Sequence, residues 1–183
     1  MTEGWDQDAA GAAFDELLVT LVMAGDRQAA ERLARRWHPR LLRTARRLVG
    51  ADMAPGAVQD CWLSILRGIG RLKDPARFAP WVFGILRRRC ADAIRRAQAE
   101  RRHGGELSGA EPDSTAIPEE ALAIAQAMAG LPPDQRLAAQ LFFVEGLTLA
   151  EIAEVQQVPE GTAKSRLFHA RRRLKAALSG DDQ

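Results

Sequence analysis

The chain is poor in the residues from which β-sheets, disulfide frameworks and metal sites are built. It has no tyrosine, 5% aromatic residues, two cysteines and three histidines among 183 residues. Aromatic side chains are enriched in strands, so their scarcity disfavours a β-rich fold. Cys61 and Cys90 form no Cys-x-x-Cys motif, and no histidine stands at ligand spacing from them. We expect two buried apolar thiols and neither a zinc site nor a disulfide framework.

Long hydrophobic runs are also missing. No apolar stretch approaches the roughly 18 residues that a membrane span needs, and no basic segment followed by an apolar run opens the chain, as it would in a signal peptide. The sequence shows no nucleophile paired with a base, no glycine-rich phosphate loop and no two acids that frame a pocket. We therefore expect a soluble, cytoplasmic protein that is not an enzyme and has no cofactor, no metal and no small-molecule substrate.

The residues that are abundant favour helices. Ala, Leu, Arg, Glu and Gln dominate, all of them helix formers, and hydrophobic residues make up 46% of the chain, enough for a buried core. Residues 103–118 (HGGELSGAEPDSTAIP) are rich in Gly, Pro, Ser and acids and lack apolar periodicity, which is typical of a flexible linker. The sequence predicts an all-α protein with two small helical domains, residues 12–100 and 118–178, joined by an acidic linker at 101–117.

Charge is distributed unevenly, although the net charge is only +2. Residues 1–26 carry six acids and no base, and residues 104–120 carry five acids and no base. The positive charge is therefore concentrated in the block between these two segments and in the block after them. Such asymmetry is typical of proteins that bind polyanions. The alternative interpretation is that each arginine cluster is an ordinary solvated helix face.

The first domain has helical apolar periodicity interrupted by prolines. Pro39 is expected to kink a helix or split it after Trp37, and Pro55 is expected to open the next helix. A third helix is expected to begin near residues 79–80. The residues predicted to face inward on the second and third helices are Val58, Cys61, Trp62, Ile65 and Leu66, and Trp81, Ile85, Ala93 and Ile94.

The second domain ends in a helix-turn-helix pattern. A helix over 117–130 is followed by one with Asp134 as its N-cap, then by residues 149–155, where Thr148 and Glu151 form a capping box. A tight turn leads to a final helix capped by Thr162, with Ala163, Leu167, Ala170, Leu174 and Ala177 inward. In such a motif the second helix enters the major groove. The residues expected to face DNA are Thr162, Lys164, Ser165, Arg166, His169, Arg172 and Arg173.

The amino-acid sequences of these segments identify a protein family more specifically than their pattern of apolar and polar residues does. Residues 146–153 (GLTLAEIA), 158–167 (VPEGTAKSRL) and 170–174 (ARRRL) closely resemble region 4 of the extracytoplasmic-function (ECF) sigma factors of bacterial RNA polymerase. Residues 58–60 (VQD), and Phe78-x-x-Trp81 followed by Asp92 and Arg95-Arg96, resemble region 2. The resemblance extends from about residue 12 to 178 in the family's order. Gln157 stands at the family's turn glycine and must adopt a conformation that glycine adopts more cheaply.

The resemblance implies a function, partners and sites. The protein would bind core RNA polymerase, through the clamp helices of the largest subunit and the flap of the second-largest subunit, and direct transcription from promoter DNA. A separate anti-sigma factor would regulate it. Polymerase would be bound by Val58, Gln59 and Asp60. The minus-thirty-five element would be bound by the seven residues of the final helix named above. The minus-ten element would be bound by Lys73, Arg77, Phe78, Trp81, Arg88, Arg95 and Arg96.

Structural interpretations compete with these roles. Trp81 and Phe78 could pack in the core, and Asp92 could pair with arginines on its own helix.

At the level of the whole chain, a helix-turn-helix regulator with an effector domain explains the C-terminal half but not the VQD and Phe-x-x-Trp segments. A helical adaptor that binds protein partners is a further alternative. A regulator would bind duplex promoter DNA on its own, whereas an adaptor would give no DNA crosslink from residues 164–173.

Overall fold

The computed structural model describes residues 3–102 and 119–179. Within those ranges the chain forms eight α-helices and two single 3₁₀ turns, and no strand, which confirms the all-α prediction. The helices are α1 (Glu3–Met23), α2 (Arg27–Val49), α3 (Ala54–Gly68), α4 (Phe78–Arg102), α5 (Glu119–Ala129), α6 (Pro133–Phe143), α7 (Leu149–Gln156) and α8 (Glu160–Ser179), and the 3₁₀ turns are Ile69–Arg71 and Pro75–Arg77.

The predicted linker, residues 101–117, is described only at its start. Its first two residues continue α4, which ends at Arg102. The remainder of the linker, and with it the segment 103–118, lies outside the described residues. None of the described helices is long and apolar enough to cross a membrane.

Helices α1 to α4 form the N-terminal domain around an aromatic centre. Trp37 of α2 makes an edge contact with Phe78, with ring centroids 5.0 Å apart, and lies 5.8 Å from the ring of Phe83. Leu33 and Leu41 lie one helical turn before and after Trp37 and are also buried. Aromatic pairs of this geometry add about 0.5–1.5 kcal/mol each to the burial of their area.

Helix α2 is not split after Trp37, which was one of the two outcomes predicted for Pro39, because it continues unbroken from Arg27 to Val49. Proline removes one helical hydrogen bond and costs roughly 3 kcal/mol in a helix interior. Pro39 itself is exposed, whereas Trp37 and Leu41 on either side of it are buried. Burial of two large side chains, worth about 1.5–3 kcal/mol each, offsets that cost.

Two residues of the predicted apolar faces point outward instead. Leu66 on α3 is 65% exposed and Ile94 on α4 is 36% exposed. Each follows a buried residue, Ile65 or Ala93, and so lies about 100° further around the helix, outside the stripe that packs. Their exposure leaves apolar surface on the outside of the N-terminal domain.

Cys61 and Cys90 are free and buried, as predicted. They lie beneath the α3–α4 contact, where burial raises the pKa of each thiol to about 12. Both therefore stay protonated at neutral pH, which makes them unreactive core residues.

Helices α5 to α8 form the C-terminal domain. The capping box of Thr148 and Glu151 opens α7 as predicted. Asp134 is not an N-cap, since Pro132 occupies that position and the Asp134 carboxylate accepts a hydrogen bond from a distant arginine instead. Thr162 does not cap α8 either, because α8 begins two residues earlier and the Thr162 N–H already donates to the Pro159 carbonyl. Ala177, expected inside, is exposed.

The two domains pack against each other. Helix α6 contacts α2, and α7 lies along α4. One continuous hydrophobic cluster includes Leu41 and Leu86 of the N-terminal domain together with Leu137, Leu141 and Ile152 of the C-terminal domain. This contact between the domains was not predicted, because it links residues about a hundred positions apart.

Candidate nucleic-acid interface

The turn between α7 and α8 is built as the helix-turn-helix motif requires. Gln157 closes α7 in the left-handed conformation, with φ 55° and ψ 47°, which confirms the prediction for this position. Its N–H donates to the carbonyls of Ala153 and Glu154, which satisfies the end of the helix. Ala163 is fully buried where α8 meets α7, and its small side chain allows the two helices to approach closely.

The outward face of α8 is polar, basic and without internal partners. Ala163, Leu167 and Ala170 are buried against the domain, as predicted. Six of the seven predicted DNA contacts are exposed, and within the described residues no hydrogen bond or ion pair engages their side chains. These six are Thr162, Lys164, Ser165, His169, Arg172 and Arg173. Their cations and donors are therefore free to bind phosphates and base edges.

Arg166 differs from the other six. Its guanidinium donates to Gln156 Oε1 at 2.9 Å and to Asp134 Oδ2 at 2.6 Å, and only 22% of its side chain is exposed. Gln156 is 1% exposed and donates in turn to the Asp134 carbonyl at 2.8 Å. This network ties α8 to α6 and α7, so Arg166 fixes the direction in which α8 points.

Phe168 was not predicted as part of this surface. It is 61% exposed, and its ring centroid lies 5.5 Å from that of His169. An exposed aromatic ring beside polar side chains offers apolar contact to bases. Its position three residues after Ser165 and four before Arg172 could have identified it, because helix neighbours recur at those spacings.

Phe78 lies inside an aromatic cluster in this structure. Its side chain is 1% exposed and lies between Trp37 and Trp81, whose ring centroids are 5.0 Å and 5.9 Å away. A ring held in this way has no face left for a base, so the predicted direct contact between Phe78 and DNA is not available in this conformation. Trp81 is half-buried, and its indole lies against Gly68, where an added Cβ would stand 3.2 Å from the ring.

Most of the arginines predicted to bind the minus-ten element are already paired with acids. Arg95 and Arg89 both bind Asp92 on the same helix, the latter at 3.3 Å. Asp92 thus pairs with two arginines of its own helix, which confirms the structural interpretation of this residue. Two more of the predicted arginines pair with acids on other helices. Arg96 binds Asp60 of α3 at 2.8 Å, and Arg77 binds Glu154 of α7.

Hydrogen bonding to Asp60 raises the pKa of Arg96. Arg88 and Lys73 are exposed, and no partner engages either side chain in the described part of the chain.

The three residues predicted to bind polymerase do not share one face. Val58 is fully buried in this structure, whereas Gln59 is exposed and Asp60 is half-buried. Leu63 and Leu66 are 44% and 65% exposed and follow Gln59 by four and seven residues, which places them on the same stripe of α3. The sequence analysis assigned Leu66 to the core and did not consider Leu63.

The sequence and the fold match known proteins over most of the chain. Residues 33–100 match the model of "Sigma-70 region 2", and residues 121–174 match that of "Sigma-70, region 4". The chain is 37% identical over 165 residues to the ECF RNA polymerase sigma factor SigM of Mycobacterium tuberculosis, covering 90% of this chain and 84% of SigM. It is 28% identical over 172 residues to the sigma-E factor of Escherichia coli, covering 86% and 90% of the two chains.

Two solved structures share the fold. The sigma factor RpoE of Bartonella quintana, in complex with the anti-sigma factor NepR, has a TM-score of 0.70 and 24% identity, covering 81% of this chain and 96% of RpoE. CnrH, in complex with the cytosolic domain of CnrY, has a TM-score of 0.67 and 23% identity, covering 92% of this chain and 99% of CnrH. At these identities the two structures establish the fold alone.

Proposed function

The chain belongs to the ECF sigma factors of bacterial RNA polymerase, and we propose that α8 reads the minus-thirty-five element while α4 and the loop before it engage the minus-ten element. As a member of this family the protein binds core RNA polymerase and directs promoter-specific initiation. Sigma factors are initiation factors and not catalysts. The main observation behind the assignment of α8 to the minus-thirty-five element is its exposed row of cations and hydrogen-bond donors, which have no partners among the described residues.

On α8 we assign base contacts to the N-terminal half of the helix, where a recognition helix meets base edges. Lys164, Ser165 and His169 supply donors, and Phe168 supplies apolar contact beside them. Arg172 and Arg173, further along, bind phosphates, and Thr162 is exposed in the first turn. Arg166 acts through Asp134 and Gln156 as a positioning residue rather than as the base contact predicted from the sequence.

At the minus-ten element the proposal assigns stacking to Trp81 rather than to Phe78. Trp81 is half-buried and rests on Phe78, so one part of its ring remains accessible. Base stacking on such a ring is worth about 1–3 kcal/mol and tolerates any sequence. Lys73 and Arg88 are exposed cations that would neutralise phosphates beside it. Arg77, Arg95 and Arg96 would join them by exchanging their carboxylate partners for phosphates.

Polymerase binding is proposed for the outer stripe of α3. Gln59 and Asp60 supply polar contacts, and the exposed Leu63 and Leu66 supply apolar area to the clamp helices of the largest subunit. Val58 supports this stripe from the core side. The C-terminal domain would bind the flap of the second-largest subunit.

Regulation by a separate anti-sigma factor is proposed on the precedent of the two solved structures, RpoE with NepR and CnrH with CnrY. In the described part of the chain no helix is a membrane-span candidate, which supports action in the cytoplasm alongside polymerase.

The proposed sites are tested by two assays on reconstituted holoenzyme. The double variant Gln59→Ala/Asp60→Ala should reduce capture of core polymerase while leaving helicity by circular dichroism unchanged. The double variant Lys164→Ala/His169→Ala should capture core normally but lose the preference for the intact minus-thirty-five element. Glu31→Gln, at an exposed carboxylate paired with Arg35, is the control for both. Normal promoter preference in the α8 variant would contradict the assignment of that helix.

A further inference from the structure

Three residues of α3, spaced one helical turn apart, each hold one side chain of α4. Residues four positions apart lie one above the other on the same face of a helix, and this face of α3 packs against α4. The three contacts join Asp60 to Arg96 at 2.8 Å, Ser64 Oγ to Arg89 Nε at 3.0 Å, and Gly68 to the indole of Trp81. At the first two positions α3 supplies a polar side chain, and at the third it supplies only backbone.

Gly68 ends α3 at the point where the outer ring of the Trp81 indole approaches it. A Cβ added to Gly68 would stand 3.2 Å from Cζ2 and 3.7 Å from Cη2 of the indole. Carbon atoms in favourable contact are about 3.5–4.0 Å apart, so the first of these distances is too short for the indole to keep its place. A residue without a side chain leaves room for the ring here.

The backbone at Gly68 gives no second reason for glycine. Its φ is −114° and its ψ is −16°, and a negative φ of this kind is open to residues with a side chain. Room for the Trp81 indole is therefore the property that Gly68 supplies.

Aromatic packing limits where the indole can go if it is displaced. Trp81 lies 5.9 Å from Phe78, and Phe78 lies edge-on against Trp37 at 5.0 Å. The two inner rings, Phe78 and Trp37, are each 1% exposed, whereas Trp81 is half-buried. A side chain at Gly68 would therefore move the outer ring, Trp81, and leave the two inner rings in place.

We propose that Gly68 is a positioning residue, which provides the seat from which the Trp81 indole stacks on an unpaired base of the minus-ten element. This inference rests on the proposed function, because stacking by Trp81 is part of it. The seat itself is a property of the free chain and is measured without DNA. Gly68 contacts no base and acts only through Trp81.

The seat is tested first in the free full-length protein by fluorine NMR after labelling with fluorotryptophan. The chain has four tryptophans, and Trp81→Phe identifies the resonance of Trp81. Gly68→Ala should shift that resonance, with unchanged helicity by circular dichroism. Gly56→Ala is the matched control, because Gly56 lies on the same helix with nothing within 4 Å of an added Cβ, and it should leave the Trp81 resonance in place.

The consequence for DNA is measured on holoenzyme with a single-stranded minus-ten oligonucleotide. Trp81→Ala should weaken binding roughly fivefold or more, the value of one stacked base. Gly68→Ala should weaken it by a smaller factor, roughly threefold, because the displaced indole still offers part of its ring. Gly56→Ala should bind as wild type does, and all these proteins should capture core polymerase equally.

A double variant separates positioning from a general loss of structure. Trp81→Phe removes the outer ring that meets Gly68 but keeps an aromatic face. In the Trp81→Phe background Gly68→Ala should have no further effect on oligonucleotide binding, because a residue that acts only through the indole loses its influence once the indole is gone. An effect of equal size in both backgrounds would overturn the positioning role.

The remaining outcomes distinguish the inference from the proposed function. An unmoved Trp81 resonance in folded Gly68→Ala protein would overturn the seat whatever the DNA shows. Wild-type binding by Gly68→Ala beside weak binding by Trp81→Ala would contradict the positioning role and leave the proposed function intact. Wild-type binding by Trp81→Ala would contradict the proposed stacking, even with the Trp81 resonance shifted. If Gly68→Ala loses helicity, the double variant with Trp81→Phe should restore it, and a failure to do so would count against the seat.

Discussion

Helices α8 and α4 both carry a dense set of basic side chains, yet they present them differently. On α8, six of the seven candidate DNA contacts are exposed and without an internal partner among the described residues. On and beside α4, Arg77, Arg89, Arg95 and Arg96 are all bound to carboxylates. Within its bounds α8 contains a single acid, Glu160, in its first turn, whereas α4 has Asp92 in its middle.

This difference suits the two surfaces to different steps, namely binding of duplex DNA by α8 and binding of an opened strand by α4. On the proposed assignment, the cations of α8 need only displace counterions from duplex DNA. Those of α4 would first have to give up carboxylate partners, so their contact with DNA would be an exchange whose net gain is small until polymerase and an opened strand supply more contacts. This is physically consistent with a protein that locates a promoter with one domain and opens it with the other.

The largest effect expected from this comparison is at Arg166, the one candidate on α8 that is held internally. Arg166→Ala leaves the buried Gln156 Oε1 without its donor, which costs about 1–3 kcal/mol. The free energy of unfolding, measured with urea on the full chain, should fall by that amount.

Arg166→Lys is the control, because it keeps the charge but not the two-pronged geometry, and it should lose part of the stability. An Arg166→Ala protein with unchanged stability and altered base preference would show instead that Arg166 reads DNA directly.

A smaller effect is expected at Lys164, which is exposed and unpaired. Because Lys164 is assigned a base contact, Lys164→Ala should weaken binding of the intact minus-thirty-five element by holoenzyme by roughly 1 kcal/mol and leave binding of a scrambled element nearly unchanged. Fluorescence anisotropy with both elements measures this difference. Lys175→Ala, about 16 Å further along the same helix, is the matched control, and an equal change there would mean that any charge on α8 suffices.

The smallest effect concerns Asp92, the acid that occupies Arg89 and Arg95. Asp92→Asn should free both arginines and strengthen binding of single-stranded DNA by the value of surface ion pairs, about 0.2–1 kcal/mol each. Glu100→Gln, an acid near the end of α4 for which no ion pair is formed in the described residues, should have less effect. Weaker binding in the Asp92 variant would indicate that Asp92 orients these arginines for DNA instead of competing for them.

The sequence predicted the features that depend on neighbouring residues. The Thr148–Glu151 capping box and the left-handed turn at Gln157 are decided within a few positions, and both were predicted. Buried thiols at Cys61 and Cys90 were predicted because neither cysteine stands at the spacing of a metal site or disulfide framework.

Features that depend on distant partners were not predicted. Glu145, next to a glycine at a helix end, has the sequence context of a solvated acid, but its partner Arg40 lies 105 residues away. Asp134 was expected to cap its own helix, but Arg166, 32 residues further on, binds its carboxylate. Phe78 was assigned to DNA although Trp37 and Trp81 enclose it. In each case tertiary packing decided between two uses that the local sequence allows.

Run-off transcription with purified core RNA polymerase, with and without this protein, tests the central claim most directly. We predict a transcript of defined start that requires the protein, both promoter elements and the exposed residues of α8. Tight binding of duplex promoter DNA by the protein alone, with no polymerase-dependent transcript, would contradict the account and identify a helix-turn-helix regulator. Absence of both transcript and DNA crosslinking from α8 would indicate a protein-binding adaptor.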